Sequence, residues 1–179
     1  MGRRLLNDGT LYDQAKEAFK RAIRLEPKNA LAYYELSIAY QRLRCSKEAL
    51  IAGQQASILK PKELLYQLAV SKYLSQLGRH DEAITLLKDA IKEKPNYGDF
   101  YVMLGGEFLE LKRYSEATDA FQSAIKFQPK NAEAHHFLGL MHVLMNKKSD
   151  AEREYDVLRK LDAAMAEDLR EAIQKKFGP

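Results

Sequence analysis

Three of the four histidines fall within eight positions of one apolar stretch: His135, His136 and His142 in AIKFQPKNAEAHHFLGLMHVL, residues 124–144. Crowded imidazoles are what a zinc site or a proton-transferring site would use, provided the rings converge and a carboxylate or thiolate completes the shell. The spacing does not supply that convergence. His135 and His136 diverge by about 100° around a helix. His135 and His142 share a face, yet no acidic residue or cysteine stands three or four positions along between them. Elsewhere there is no G-x-S-x-G, no G-x-x-x-x-G-K-[ST] and no H-E-x-x-H. The single cysteine, Cys45 in RLRCSKEA, has no nearby histidine and reads as an ordinary free thiol. The reading is of packing histidines, with no metal, no cofactor, no catalytic residue and no enzyme.

Composition agrees with a soluble folded chain: 179 residues, 46% apolar and 30% charged. The longest nearly uncharged run, residues 136–145, is too short to span a bilayer, which takes roughly 20 residues, so no transmembrane segment is expected. No secretory leader is visible. Cytoplasmic is the default, and the compartment stays undetermined. The net charge of +4 is uneven, with 12 Lys+Arg against 6 Asp+Glu in residues 1–62 and 17 against 19 thereafter. A nucleic-acid binder would show a more concentrated basic stripe, so nucleic acid is not expected as a partner.

The elements that place these residues repeat. Pro27, Pro61, Pro95 and Pro129 are each 34 residues apart, and periods of this size mark repeat architectures. With proline at slot 32, units run 30–63, 64–97, 98–131 and 132–165, after a partial unit. Slot 20 is then Ala15, Ala49, Ala83, Ala117 and Ala151. Slot 27 is Ala22, Ala56, Ala90, Ala124 and Leu158, and slot 8 is Ser37, Ser71, Gly105 and Gly139. Slot 24 is bulky in Phe19, Leu87, Phe121 and Tyr155, with Gly53 the exception.

Within each unit, apolar residues recur at three- and four-residue intervals in two blocks, split by short polar turns such as LGRHDEA and LKRYSEA. This predicts helix, turn, helix. Small residues at slots 8 and 20 allow close approach within a pair, and bulky ones at slots 7 and 24 fill the space between neighbouring units. Proline closes the second helix. Asp81, Glu82 and Glu116 fall in first turns, where they favour the positive end of the helix dipole.

These residues resemble the tetratricopeptide repeat, whose pattern has an aromatic at slot 4, Leu at 7, Gly at 8, Tyr at 11, Ala at 20, Phe at 24, Ala at 27 and Pro at 32. The resemblance covers residues 1 to about 161 and implies an all-α, right-handed α-solenoid. Its units would be 1–29 (a partial repeat, mainly the second helix), 30–63, 64–97, 98–131 and a degenerate 132–163. His135, His142 and His80 take slots 4, 11 and 17, where Tyr101, Phe108 and Tyr114 stand one unit away. Slot 32 of the last unit is Ala163 rather than proline, so the chain can continue helically. Residues 164–179 then supply a capping helix, with Met165, Leu169, Ile173 and Phe177 on one side. At the start, only MGRRLLND remains of a leading helix. That leaves the helix over 11–26 half uncovered, open to a homodimer contact or to a missing upstream repeat.

The resemblance also implies that slots 2, 5, 6, 9, 12 and 13 of each leading helix face a concave groove. There stand Tyr34 and Ile38, then Leu65, Leu68 and Lys72, then Val102, Met103 and Leu109, and last His136, Phe137 and Leu140. Co-chaperone members of this family grip C-terminal carboxylates of heat-shock proteins with Lys, Asn and Arg at set slots. Here the equivalents are Tyr34, Ile38, Ala69, Asp99 and Met103, so that ligand is not expected. The expected function is a non-catalytic scaffold or adaptor binding an apolar or amphipathic peptide. Two alternatives stay open: the same residues also read as core beneath neighbouring helices or the C-terminal helix, and the chain as the substrate-recruiting segment of a larger enzyme such as a transferase.

Overall fold

The structure, a computed structural model, describes residues 2–178, with side chains from residue 9 onward. Among the described residues it forms ten α-helices and no strand: α1 (Gly2–Leu25), α2 (Ala30–Arg42), α3 (Ser46–Leu59), α4 (Leu64–Gln76), α5 (His80–Glu93), α6 (Gly98–Glu110), α7 (Tyr114–Phe127), α8 (Ala132–Leu144), α9 (Lys148–Leu161) and α10 (Ala163–Phe177). Two compact units are defined, Met1–Ala90 and Ile91–Pro179. In the first, α1 packs on α2, α2 on α3 and α3 on α4. In the second, α6 packs on α7, α7 on α8, α8 on α9, and α10 on both α8 and α9.

Residues 2–8, read from the sequence as what remains of a leading helix, run on without a break into the helix expected over 11–26, as α1 from Gly2 to Leu25. No proline interrupts this stretch, and Gly9 in its interior costs the helix only about 1 kcal/mol.

Each polar turn has the same backbone. Arg44, Gly78, Lys112 and Asn146, all at slot 15, take φ of 59°, 70°, 58° and 58°. In each turn the following N–H reaches back five residues, as from Cys45 to the Tyr40 carbonyl (2.9 Å) and from Arg113 to that of Phe108 (2.8 Å). The slot-15 N–H bonds three residues back, as from Gly78 to Ser75 (2.8 Å). This paired pattern satisfies the last helical carbonyls. Only glycine adopts the left-handed region freely, and other residues give up roughly 1–2 kcal/mol there.

Equivalent positions find equivalent surroundings. Ala49, Ala83, Ala117 and Ala151 are all fully buried, as are Ser37 and Ser71 at slot 8. Phe121 stacks on Phe137 of the next unit, ring centroids 5.2 Å apart. It also covers Gly105 of its own helix pair, where an added Cβ would lie 2.5 Å from the ring. Slot 24 therefore fills space within a unit as well as between units. Where slot 24 is Gly53, the ring of Tyr73 from α4 takes the vacated volume, and a Cβ at Gly53 would meet it at 3.1 Å. The Tyr73 hydroxyl lies 3.0 Å from Ser37 Oγ, so a buried phenol is satisfied by the residue that replaces glycine at slot 8.

The turns between units hold four residues where proline is present. Without it, α9 and α10 are separated by the single extended residue Asp162, whose carboxylate accepts from the N–H groups of Ala164 and Met165. Helix α10 rests on α8 and α9 through Leu169 and Ile173, buried, with Met165 and Phe177 beside them. Leu169 lies over Gly139, where an added Cβ would press on its methyl groups and force them to shift. Pro179, the last residue of the expected cap, lies outside the described residues.

Candidate functional site

Of the three clustered histidines, His135 and His136 are held by structural partners. His135 is buried, its Nε2 donating to the Pro129 carbonyl at 3.0 Å and its Nδ1 lying 2.6 Å from Glu154 Oε2. Other units make the same tie from slot 4: Gln67 Nε2 donates to the Pro61 carbonyl (2.7 Å) and the Tyr101 hydroxyl to that of Pro95 (2.9 Å). A histidine here is one more donor for a carbonyl exposed by proline's turn. His136 Nε2 lies 2.7 Å from Asp168 Oδ2 on α10. His142 is buried with Nδ1 unpartnered among the described residues, and burial, more than its charged neighbours, lowers its pKa. Among the described residues no three His, Cys, Asp or Glu side chains are placed to hold a metal ion.

Neither carboxylate partner stood out from sequence spacing, yet a signal was there. Slot 23 is Ala18, Ala52, Leu86 and Ala120 elsewhere and Glu154 here. The unit that replaces the slot-4 aromatic with histidine also introduces the acid that meets it. Glu82 and Glu116 are likewise engaged, by two-pronged hydrogen bonds from Arg79 and Arg113 at slot 16. The Arg79 guanidinium lowers the pKa of the Glu82 carboxyl.

The residues assigned to the groove divide by burial. In the first unit, Leu65 and Lys72 on α4 are exposed, and Leu68 with Tyr34 and Ile38 on α2 are half-buried. Leu31 on α2 is 57% exposed and Leu65 is 49% exposed; both stand at slot 2. Tyr34 pairs with Tyr66 at 4.9 Å between ring centroids and packs by Ala30 and Ala56. Burial raises its phenol pKa.

In the second unit Val102 is buried, clustered with Ala124 and Ala134, so it is core rather than contact surface. Slot 5 meets slot 27 of its own repeat and slot 3 of the next, at Tyr34 as at Val102. Met103 and Leu109 on α6 stay half-buried. Phe137 is half-buried because it stacks on Phe121. His136 and Leu140 on α8 are engaged by α10, through Asp168 and the cluster around Leu169. Helix α10 thus sits where the leading helix of a further unit would sit, and covers part of this face.

Models described as tetratricopeptide repeat match residues 18–51 and 74–135, together just over half of the chain. Among curated proteins there is no match. Solved structures are similar over nearly the whole chain. TTC0263, a thermophilic TPR protein in Thermus thermophilus, is 20% identical with a TM-score of 0.75, covering 97% of this chain and 99% of that one. PilW, a widely conserved type IV pilus biogenesis factor, is 21% identical with a TM-score of 0.81, covering 98% and 84%. YrrB, a TPR protein with an unusual peptide-binding site, is 16% identical with a TM-score of 0.66, covering 90% and 93%. At these identities the likeness is one of fold. With proline, alanine and small-residue slots returning every 34 residues to matching environments, the chain belongs to the tetratricopeptide repeat family.

Proposed function

We propose that the chain is a non-catalytic interaction module whose first unit holds an apolar or amphipathic peptide along the leading-helix faces of α2 and α4. The observation that carries this is the exposure of Leu31 and Leu65, at the same slot of successive leading helices. Ile38 and Leu68 lie half-buried on the same two helices. Leucines left half in water on neighbouring helices are anchors for a partner's side chains. Lys72, exposed on α4, adds a cation at the edge. The second unit offers Met103 and Leu109 for the same purpose, while Phe137, His136 and Leu140 are largely taken up by its own packing. A terminal carboxylate is not the handle, because the slots that would grip one hold Tyr34, Ile38 and Ala69.

A peptide selected by phage display against the intact chain tests this. Leu65→Asp with Leu68→Asp lowers its affinity by about tenfold or more, while the circular-dichroism helix signal stays at the wild-type level. Equal affinity in the variant refutes the assignment.

A second reading rests on α1, where Leu11 and Leu25 are 60% and 84% exposed. Fourteen residues apart, they lie on one side of the helix, about 21 Å along its axis. This face is proposed as a homodimer contact.

A further inference from the structure

Helix α3 is unlike every other second helix on its solvent side. Ile51, Gln54, Gln55 and Ile58 stand at i, i+3, i+4 and i+7, one face of the helix, and all four are exposed, the isoleucines by 62% and 68%. The repeat supplies its own control. Slot 22, isoleucine here, is Glu17, Thr85, Asp119 and Arg153 in the other units, and slot 29 is Arg24, Lys92, Lys126 and Lys160. A polar slot has become apolar twice on the same face, which internal packing does not require. Charge concentrates around it as well. Residues 42–62 hold five Lys+Arg and a single acid, Glu48, so this segment accounts for the chain's whole net charge of +4. Arg44 and Lys47 lie at one end of the helix and Lys60 and Lys62 at the other. All four are exposed, and none is ion-paired with another described residue.

We infer that the solvent face of α3 is a second docking surface, distinct from the α2–α4 face, and that its occupant is an acidic amphipathic helix. Apolar side chains of the partner would straddle Ile51 and Ile58, about 10 Å apart along the axis, with carboxylates meeting the cations at both ends. Complementarity of charge selects this occupant. A second copy of the chain would bring cations against cations whichever way its α3 ran. An anionic membrane would have to take Gln54 and Gln55 into an apolar layer without hydrogen-bond partners, at a desolvation cost that a peptide's polar side chains avoid.

Fluorescence anisotropy with a labelled synthetic peptide, leucine at one-turn spacing and glutamate elsewhere, tests this on the intact chain. The wild type binds it, and added salt weakens the binding. Ile51→Thr with Ile58→Gln, polar residues that leave the charge unchanged, weakens it by about tenfold or more without moving the melting temperature. Lys47→Glu, Lys60→Glu and Lys62→Glu together do the same, and a peptide with lysine in place of glutamate fails to bind. No binding by the wild type, or equal binding by the isoleucine variant, overturns the inference. So does sedimentation with phosphatidylserine vesicles, or self-association, that disappears in that variant. Leu65→Asp with Leu68→Asp leaves this affinity unchanged, which separates the surface from the α2–α4 face; loss of binding there would move the peptide to that face and overturn the inference.

Discussion

Slot 4 shows how one requirement accepts different side chains. Gln67, Tyr101 and His135 each donate to the carbonyl of the proline six residues upstream, because a carbonyl at a helix-ending turn has no helical N–H to take it. Histidine chemistry is thus absorbed by structure. His142 has a different consequence. Its ring is buried among Asp150, Glu154, Lys147 and Arg153, with burial the largest influence, and its pKa is lowered from 6.5. The unfolded chain therefore takes up the proton first as pH falls. The stability associated with neutral His142 is intact above pH 6.5 and is lost progressively as pH drops from there toward the folded-state pKa. His142→Phe, the residue type at Phe108 in the same slot, should remove this dependence. Melting temperatures about one unit either side of pH 6 check it: the wild type should lose more than the variant over that interval, and parallel losses would mean the ring does not titrate on unfolding. That this histidine packs was legible from its slot, whereas its lack of a partner on Nδ1 depended on which neighbours the fold brought to it.

At the scale of helices, volumes are exchanged between slots. Gly105 accepts Phe121, Gly139 accepts Leu169, and Gly53 accepts Tyr73. Restoring the family's large residue at slot 24 with Gly53→Phe should consequently destabilise the chain, by about 1–3 kcal/mol, despite the gain of roughly 1 kcal/mol expected on replacing a helical glycine. Combined with Tyr73→Ala, the same substitution should cost less than the sum of the two single changes, because the new ring occupies the volume the tyrosine leaves. Urea denaturation of the three variants measures this, and strict additivity would show that the positions do not share space. The sequence showed Gly53 as a gap in a pattern. It could not show that the filler comes from slot 10 of the next unit, since that residue is 20 positions away and its reach depends on how helices cross.

At the scale of the whole molecule, the question is which apolar surface is left for partners. Leu11 and Leu25 lie on a helix whose described contacts are with α2. If α1 mediates self-association, the wild type should sediment as a dimer at micromolar concentration, and Leu11→Asp with Leu25→Asp should return it to the monomer mass; a wild type that is monomeric throughout removes this reading. The charge asymmetry between the two ends of the chain, visible as composition, becomes informative only once residues 42–62 are seen to flank a helix with apolar residues in water.

The 34-residue spacing of proline, alanine and small residues was enough, unaided, to specify paired helices, their order and the family, since each slot obeys a steric rule that its counterpart in the next unit also obeys. It equally marked His80, His135 and His142 as packing residues. Burial was decided only in three dimensions. Val102 went to core while Leu65 stayed in water, His136 and Leu140 were taken up by α10, and two isoleucines on α3 were left exposed. A periodic pattern assigns side chains to faces, but whether a face is covered depends on the neighbouring helix that packs there, and no slot encodes that on its own.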